Sequence, residues 1–328
     1  MTLRQTPEAI DWHALRELRD LFLAAEPVER PYWVSRDQLD AYDRTLGERI
    51  GWKWDAVLTE LKARNWSPPS RKLTDFGCGT GIAVRRVLHA FPGAFDEVIL
   101  HDHSAIAMGF ARERIQAEHP GTPIRLGENE IPAEGVVLIS HILNELPPEK
   151  LAELPEVLAK ADALLWVEPG TMACSRALIA AREKLRATHT LVAPCPHQGA
   201  CGLLLEENAA HWCHHFAPAP AHAHQDPFWG HFRREMNLEI GPVAYSFLVT
   251  DKTAKPDAGL SHLIGKPLRV PKYLRVLSCQ ESDIAELVAS RRSGSVYRDL
   301  KGPASPALYK FERRKNRIVG GEWVGNGE

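Results

Sequence analysis

The chain has 328 residues, 44% of them hydrophobic and 25% charged, with a formal net charge of -2. This is the composition of an ordinary globular protein with room for one sizeable core plus extensions, or for two domains. No apolar run approaches the roughly 20 residues of a membrane-spanning helix, and the first residues mix acids with bases around no apolar signal region, so a cytoplasmic protein without a membrane segment is expected. The near-neutral total hides an asymmetry. Residues 251–317 carry 15 Lys and Arg against 7 Asp and Glu, a surplus of +8 that leaves -10 elsewhere. Such a basic segment suits a polyanion such as RNA, and equally a solvated surface.

Taken in chain order, residues 1–68 read as a helical region. From Thr6 to Ala25, Ile10, Leu15, Leu18, Leu21 and Phe22 fall near one face, and Ser35 with Gln38 forms a capping box that opens a second amphipathic stretch toward Trp66. A helical layer over a sheet or a partner is the economical arrangement. Ser67-Pro68-Pro69-Ser70 then marks a boundary.

The most informative stretch follows, Lys72 to Gly81, KLTDFGCGTG. An apolar strand ends on Asp75, turns through Gly77, Gly79 and Gly81, and hands over to a helix from Ile82 to Ala90. Glycines let the backbone turn tightly and approach a ligand, and the helix start offers unpaired N–H groups. A second strand, Glu97 to His101, leads to Asp102, which lies 21 positions beyond Gly81, where an acceptor for ribose hydroxyls belongs. The D-x-G-x-G-x-G order, with an acid leading the loop, is similar to the S-adenosylmethionine site of Rossmann-like methyltransferases rather than to a dehydrogenase fingerprint.

Strands and helices keep alternating. A helix from Ala105 to Glu118 starts at Ser104, and a short strand near Pro123 to Leu126 precedes Glu128 and Asn129, candidates to touch adenine. Gly135 to Ser140 reads as a strand buried on both faces, ending in the loop SHILNELP, residues 140–147, at the carboxyl end where open α/β sheets bind ligands. Ser140 is a cofactor candidate there, and Asn144 and Glu145 are the acceptor-side catalytic candidates. A helix from Glu149 to Ala161, a strand from Ala163 to Val167, the loop Glu168-Pro169-Gly170-Thr171 and a helix from Cys174 to Ala187 complete the wound part, with a later strand expected over Pro242 to Val249.

Residues 191–229 differ from the rest, being crowded with Cys, His and Pro. Of six cysteines, Cys78 and Cys174 read as packing residues. Cys195, Cys201 and Cys213 are separated by five and eleven residues, with Cys279 far downstream. Zinc knuckles begin with ligands two to four residues apart, so this spacing suits an iron–sulfur cluster better, while zinc with one of His197, His211, His214, His215, His222 or His224, or unliganded thiols, stays open.

The set DFGCGTG, SHILNELP, WVEPGT, APCPHQGAC, HWCHHF, VAYSFLV, LIGKPLRV and SGSVYRDLK resembles the methyltransferase-like family associated with the small ribosomal subunit, known from mitochondria and with bacterial relatives. The resemblance runs from about residue 72 to 302. It implies a 4Fe-4S cluster on Cys195, Cys201, Cys213 and Cys279, and involvement with the small subunit and its rRNA through the basic C-terminal region. Beyond Arg298 the sequence departs from the family's Trp-Gly-Asp signature, which leaves the tail's role open. Two absences narrow the chemistry: the 140–147 loop lacks the Asn/Asp-Pro-Pro-aromatic motif of exocyclic-nitrogen methylation, and Cys174 lacks a preceding proline.

The expected fold is therefore α/β, a doubly wound, Rossmann-like class I methyltransferase sheet with an N-terminal helical layer and a Cys/His-rich cluster insertion. Its parts are a helical region at 1–68, an S-adenosylmethionine-binding core at 69–190, the insertion at 191–230, the last core strands at 231–258 and a basic region at 259–328 supplying the fourth cysteine. Three functions are consistent with this reading: a methyltransferase acting on the small subunit, an assembly factor that keeps the cofactor pocket, and a small-molecule methyltransferase with a zinc module.

Overall fold

A computed structural model describes residues 10–24, 32–127, 134–281, 283–302 and 307–325. The N-terminal layer holds α1 (Trp12–Ala24), α2 (Arg36–Tyr42), a π-helical turn over Asp43–Gly47, and α3 (Glu48–Ala63). Ser35 caps α2 by accepting from the Gln38 N–H, while the Gln38 side chain takes the N–H of Val34 rather than that of Ser35, so the expected box closes one residue early. Leu15 and Leu18 are buried but Leu21 is 39% exposed, which narrows the apolar face of α1 to one side of the expected stripe. On α3 the buried face carries Trp54, Val57, Leu58 and Leu61 and packs on the sheet and its first helix.

The wound core contains β1 (Lys72–Phe76), α4 (Ile82–Ala90), β2 (Glu97–His101), α5 (Ala105–Glu118), β3 (Ile124–Leu126), β4 (Val136–Ser140), α6 (Pro148–Leu158), β5 (Ala163–Pro169), α7 (Met172–Leu185) and β6 (Thr190–Ala193). Within the insertion lies β7 (His215–Ala217), followed by α8 (Pro227–Met236) and β8 (Val243–Asp251). The sheet order is β3-β2-β1-β4-β5-β8-β6, with β7 also paired to β8. Strands β1 to β5 run parallel, while β8 is antiparallel to β5, β6 and β7. A parallel sheet ending in one inserted antiparallel strand is the arrangement of class I methyltransferases, so the expected α/β class is observed. Strands β4 and β5 are apolar on both faces because helices cover both sides.

Residues beyond 260 form a second body that the sequence pattern did not reveal. Strands β9 (Ser261–Val270), β10 (Tyr273–Cys279), β11 (Ile284–Ser290), β12 (Leu308–Arg314) and β13 (Arg317–Trp323) close a barrel in the order β10-β11-β13-β12-β9, with α9 (Ser295–Asp299) between β11 and β12. All neighbours are antiparallel except β11 and β13. Counted from its first strand, the barrel runs 1-2-3-5-4-1 with a helix after the third strand, which is OB-fold topology. Its interior holds Leu263, Leu274, Val276, Leu287, Ala289 and Tyr309, with Val296 and Leu300 packed into the same cluster. The strands are amphipathic but short, and the closing pair β12–β13 reads as a charged tail until it is paired.

Core and barrel meet at a buried ionic joint. His262 of β9 bonds Glu60 of α3 at 3.0 Å, Glu60 pairs with Arg64 at 2.8 Å, and Arg64 reaches Asp257 at 3.0 Å. Burial alone would raise the Glu60 carboxyl, but His262 and Arg64 outweigh it and hold Glu60 well below the usual carboxylate range.

Candidate functional site

Two sites stand on the same sheet. The first is the glycine loop. Gly77 and Cys78 both donate their N–H to the His101 carbonyl, at 2.8 and 2.9 Å, which folds the loop over the end of β2. Gly77, Gly79 and Gly81 have φ of +75°, +49° and +74°, which only glycine adopts freely. A Cβ at Gly77 would lie 2.7 Å from Ile142, whereas one at Gly79 would meet nothing within 4 Å, so the loop is open above Gly79.

Asp102 pins this loop by accepting from Gly79 N and Ser104 N, each at 2.9 Å. Asp75 is different: it is fully buried and neither carboxylate oxygen has a hydrogen-bond partner in the protein. Burial, with the neighbouring Asp102, pushes its pKa up to about 8. A buried carboxyl left unpaired is unfavourable, and a ligand that brings hydroxyl or ammonium donors would remove that penalty. Glu128 and Asn129, the adenine-side candidates, lie outside the described residues.

Beside the loop is the carboxyl end of β4, the strand paired with β1. Ser140 Oγ accepts from Trp54 Nε1 at 3.0 Å, so that hydroxyl is tied to the helical layer. Asn144 Oδ1 lies 3.3 Å from Cys174 Sγ, and Glu145 accepts from Tyr32 OH at 3.0 Å. Burial raises Glu145 to about 7 against the Tyr32 hydrogen bond, and the charge of Asp102 adds to the rise. Asn144 and Glu145 therefore stand beside the glycine loop: Ile142 of the same segment approaches Gly77, and the charge of Asp102 reaches Glu145.

Lys53 was not read from the sequence, and His141 and Glu168 were read only as members of carboxyl-end loops. Lys53 is buried with Nζ 2.8 Å from His141 Nε2, and burial brings its pKa down to about 7, while desolvation and the Lys53 charge hold the half-buried His141 well below its ordinary value. Glu168 is fully buried, accepts from Trp166 Nε1 at 2.7 Å and Ile142 N at 3.1 Å, and is pushed up to about 8 by burial. The available signal for Lys53 is its spacing with Val57 and Leu61, which sets a lysine in an apolar stripe.

The second site is the cysteine cavity. Cys195 follows β6, Cys201 lies in the insertion, Cys213 precedes β7 and Cys279 ends β10. All four line one cavity of about 40 Å³ between α7, the insertion and the barrel. Arg182, 2% exposed on α7, sends Nε to Cys195 Sγ at 3.1 Å and Nη2 to the Gly199 carbonyl at 2.8 Å. It was missed because it sits at helical spacing among Leu178, Ala181 and Leu185, where apolar packing is the default. Burial raises Cys213 and Cys279, and the neighbouring thiols raise both further, so the four sulfurs are electrostatically coupled.

Of the six insertion histidines, His197 also lines the cavity, and His215 Nε2 lies 3.5 Å from Cys213 Sγ. His214 stacks on Trp212, while His211, His222 and His224 are exposed. Among the described residues, no three Cys, His, Asp or Glu side chains form a site for a single metal ion.

The model of the family described as mitochondrial small ribosomal subunit Rsm22 matches residues 53–304. The chain belongs to the Rsm22 family. The match begins at the buried Lys53 and takes in the glycine loop, all four cavity cysteines and most of the barrel. No curated protein sequence matches the chain. Among solved structures, magnesium protoporphyrin IX methyltransferase from Synechocystis, with S-adenosylhomocysteine bound, is 12% identical and covers 74% of this chain and 100% of that chain with a TM-score of 0.40. A proposed RNA methyltransferase from Pyrococcus horikoshii is 13% identical and covers 72% of this chain and 99% of that chain with a TM-score of 0.39. Scores of this size say nothing about chemistry, and the fold assignment rests on the strand order.

Proposed function

We propose that this Rsm22-family protein binds S-adenosylmethionine in the glycine-loop cleft, acts on the small ribosomal subunit, and carries a structural 4Fe-4S cluster on Cys195, Cys201, Cys213 and Cys279. The family match over residues 53–304 carries the reading. The residues present fit the cofactor: Asp75 has two unpaired buried oxygens and Gly79 opens the loop face. Asp75 would take hydroxyl or ammonium donors, and Asp102, while bracing Gly79, keeps lone pairs for the ribose. The cofactor supplies a methyl group on a good leaving group, so the protein's part is to place the acceptor, a task for Asn144, Glu145 and the Lys53–His141 pair.

Four thiols around a cavity, from two distant segments, suit a four-sulfur cluster better than a knuckle. Arg182 brings a buried cation to 3.1 Å from Cys195 Sγ, a charge-assisted donor to a sulfur that would ligate the cluster. Its job is to fasten the insertion to the barrel. The basic C-terminal region is the part that meets RNA of the subunit.

One observation favours the assembly-factor reading over turnover: Ser140, Asn144 and Glu145 are all engaged by Trp54, Cys174 and Tyr32. Calorimetry with S-adenosylmethionine, together with labelled-methyl transfer to immature small-subunit particles, separates the cases. Cofactor binding with transfer identifies an enzyme acting on the subunit; binding and particle retention without transfer identify an assembly factor. Absence of both cofactor binding and particle binding would overturn the proposal.

A further inference from the structure

We propose that the barrel end carrying the β9–β10 and β12–β13 hairpins is a binding surface for single-stranded RNA, held between those hairpins and a notch beside α9. The inference deepens the small-subunit reading above and rests on it for the source of the strand. It starts from register. Arg275 of β10 pairs with Val288 of β11, Val288 with Arg317 of β13, and Arg317 with Arg314 of β12, so the β12–β13 turn lies beside the middle of β11. Tyr273 pairs with Ser290, which brings the Pro271-Lys272 turn of β9–β10 next to Arg291. The two hairpins therefore flank the same end of the β10–β11 face, where OB-fold barrels take oligonucleotides.

The opposite end of that face is already covered. Leu277, Cys279 and Ile284 pack with Ile179 and Leu203 of the core and insertion. What remains free is strongly basic. Among the described residues, Lys272, Arg291, Arg298, Lys301, Arg314 and Arg317 are exposed and make no ion pair; half-buried Arg275 pairs with Glu286 at 3.5 Å. Residues 261–325 contain 13 Lys and Arg against 6 Asp and Glu. Unneutralised like charges this close repel one another, and a phosphate backbone relieves that repulsion.

A pocket of about 380 Å³ adds shape to charge. It is lined by Arg291, Gly294, Tyr297, Arg298 and Lys301, with the Lys301 ammonium 5.5 Å from the Tyr297 ring centroid. Cations for a phosphate and a ring for a base suit an unpaired strand, because a duplex keeps its bases inside its own stack. The SGSVYRDLK segment, which the cofactor and cluster sites leave unused, builds this pocket.

The test is fluorescence anisotropy of the purified, cluster-replete full chain with a labelled unstructured oligoribonucleotide of about 12 nucleotides, within the reach of one OB-fold barrel, against a duplex of the same sequence. The expected result is binding at least about tenfold tighter to the single strand, weakened about tenfold or more by Arg314→Glu with Arg317→Glu and, separately, by Arg298→Glu with Lys301→Glu. Iron content and S-adenosylmethionine binding should be unchanged in both variants, which shows that the barrel is folded and the cleft intact. Equal affinity of variants and wild type for the strand, or preference for the duplex, would overturn the inference. If the wild type binds small-subunit particles but the variants bind them equally well, this inference fails and the small-subunit reading stands; if it binds neither strand nor particle, both fail. Retention of the variants' affinity for isolated ribosomal proteins with no RNA binding by the wild type would make the surface a protein-docking one.

Discussion

The glycine loop and the cysteine cavity lie on one sheet but are built in opposite ways. The loop's ligand groups come from two βα turns, Asp75 to Gly81 and Asp102, and its geometry is fixed by local hydrogen bonds to the His101 carbonyl. The cavity takes one wall from α7, three cysteines from an irregular insertion and one from the barrel. A site made of neighbours in sequence survives damage elsewhere. A site made of distant segments is also a fastener, so losing one ligand loosens everything it joins.

That contrast orders the expected effects. On the proposed cluster, Cys201→Ser would remove one of four ligands, and loss of a structural metal site costs several kcal/mol. The variant should lose its iron and at least about 3 kcal/mol of stability, with limited proteolysis entering the insertion and barrel before the sheet. Unchanged melting temperature and iron content would contradict the joint's importance. Gly77→Arg should act more narrowly. Its side chain meets Ile142 and needs φ of +75°, so S-adenosylmethionine affinity should fall about 100-fold while stability drops by only about 1–2 kcal/mol, read by calorimetry and thermal denaturation.

Smaller effects follow from the two buried acids. The Asp75 carboxyl, raised to about 8, is largely protonated at pH 7 in the free protein. Donors on the ligand favour the ionised form, so binding at pH 7 should release up to about one proton, measured by calorimetry in buffers of different ionisation enthalpy. Affinity should rise with pH toward 8 and then level, and Asp75→Asn should abolish the proton release. Glu60 has the opposite sign. Its depressed pKa means that its contribution is present above the unfolded value, about 4.3, and is lost as pH falls below it. Glu60→Gln should lower stability at pH 7 by about 1–3 kcal/mol, with the difference from wild type shrinking toward pH 3.

The same contrast explains what was legible in the sequence. Strand, glycine loop, helix and Asp102 are consecutive, and their hydrophobic pattern has one period at a time, so the wound core could be placed nearly residue by residue. Spacing grouped the four cysteines only as candidates with zinc and free thiols left open, because nothing in it says that Cys279 ends a strand beside the insertion. Lys53 and Arg182 fall on apolar helical stripes and Glu168 at the carboxyl end of β5, and only packing shows that each one is buried with a partner. The barrel was hidden for another reason. Its strands alternate over few residues, and β12 and β13 carry so many cations that they read as a solvated tail until the Arg314 to Arg317 pairing turns them into a wall of the barrel.

The most direct test of the central claim is iron, sulfide and zinc analysis with an absorption spectrum on protein purified without oxygen. About four irons and four sulfides per chain, with broad absorption at about 400 nm, is the predicted result. One zinc and no iron would contradict it, make the insertion a zinc module, and remove the cluster from the account of how core and barrel are joined.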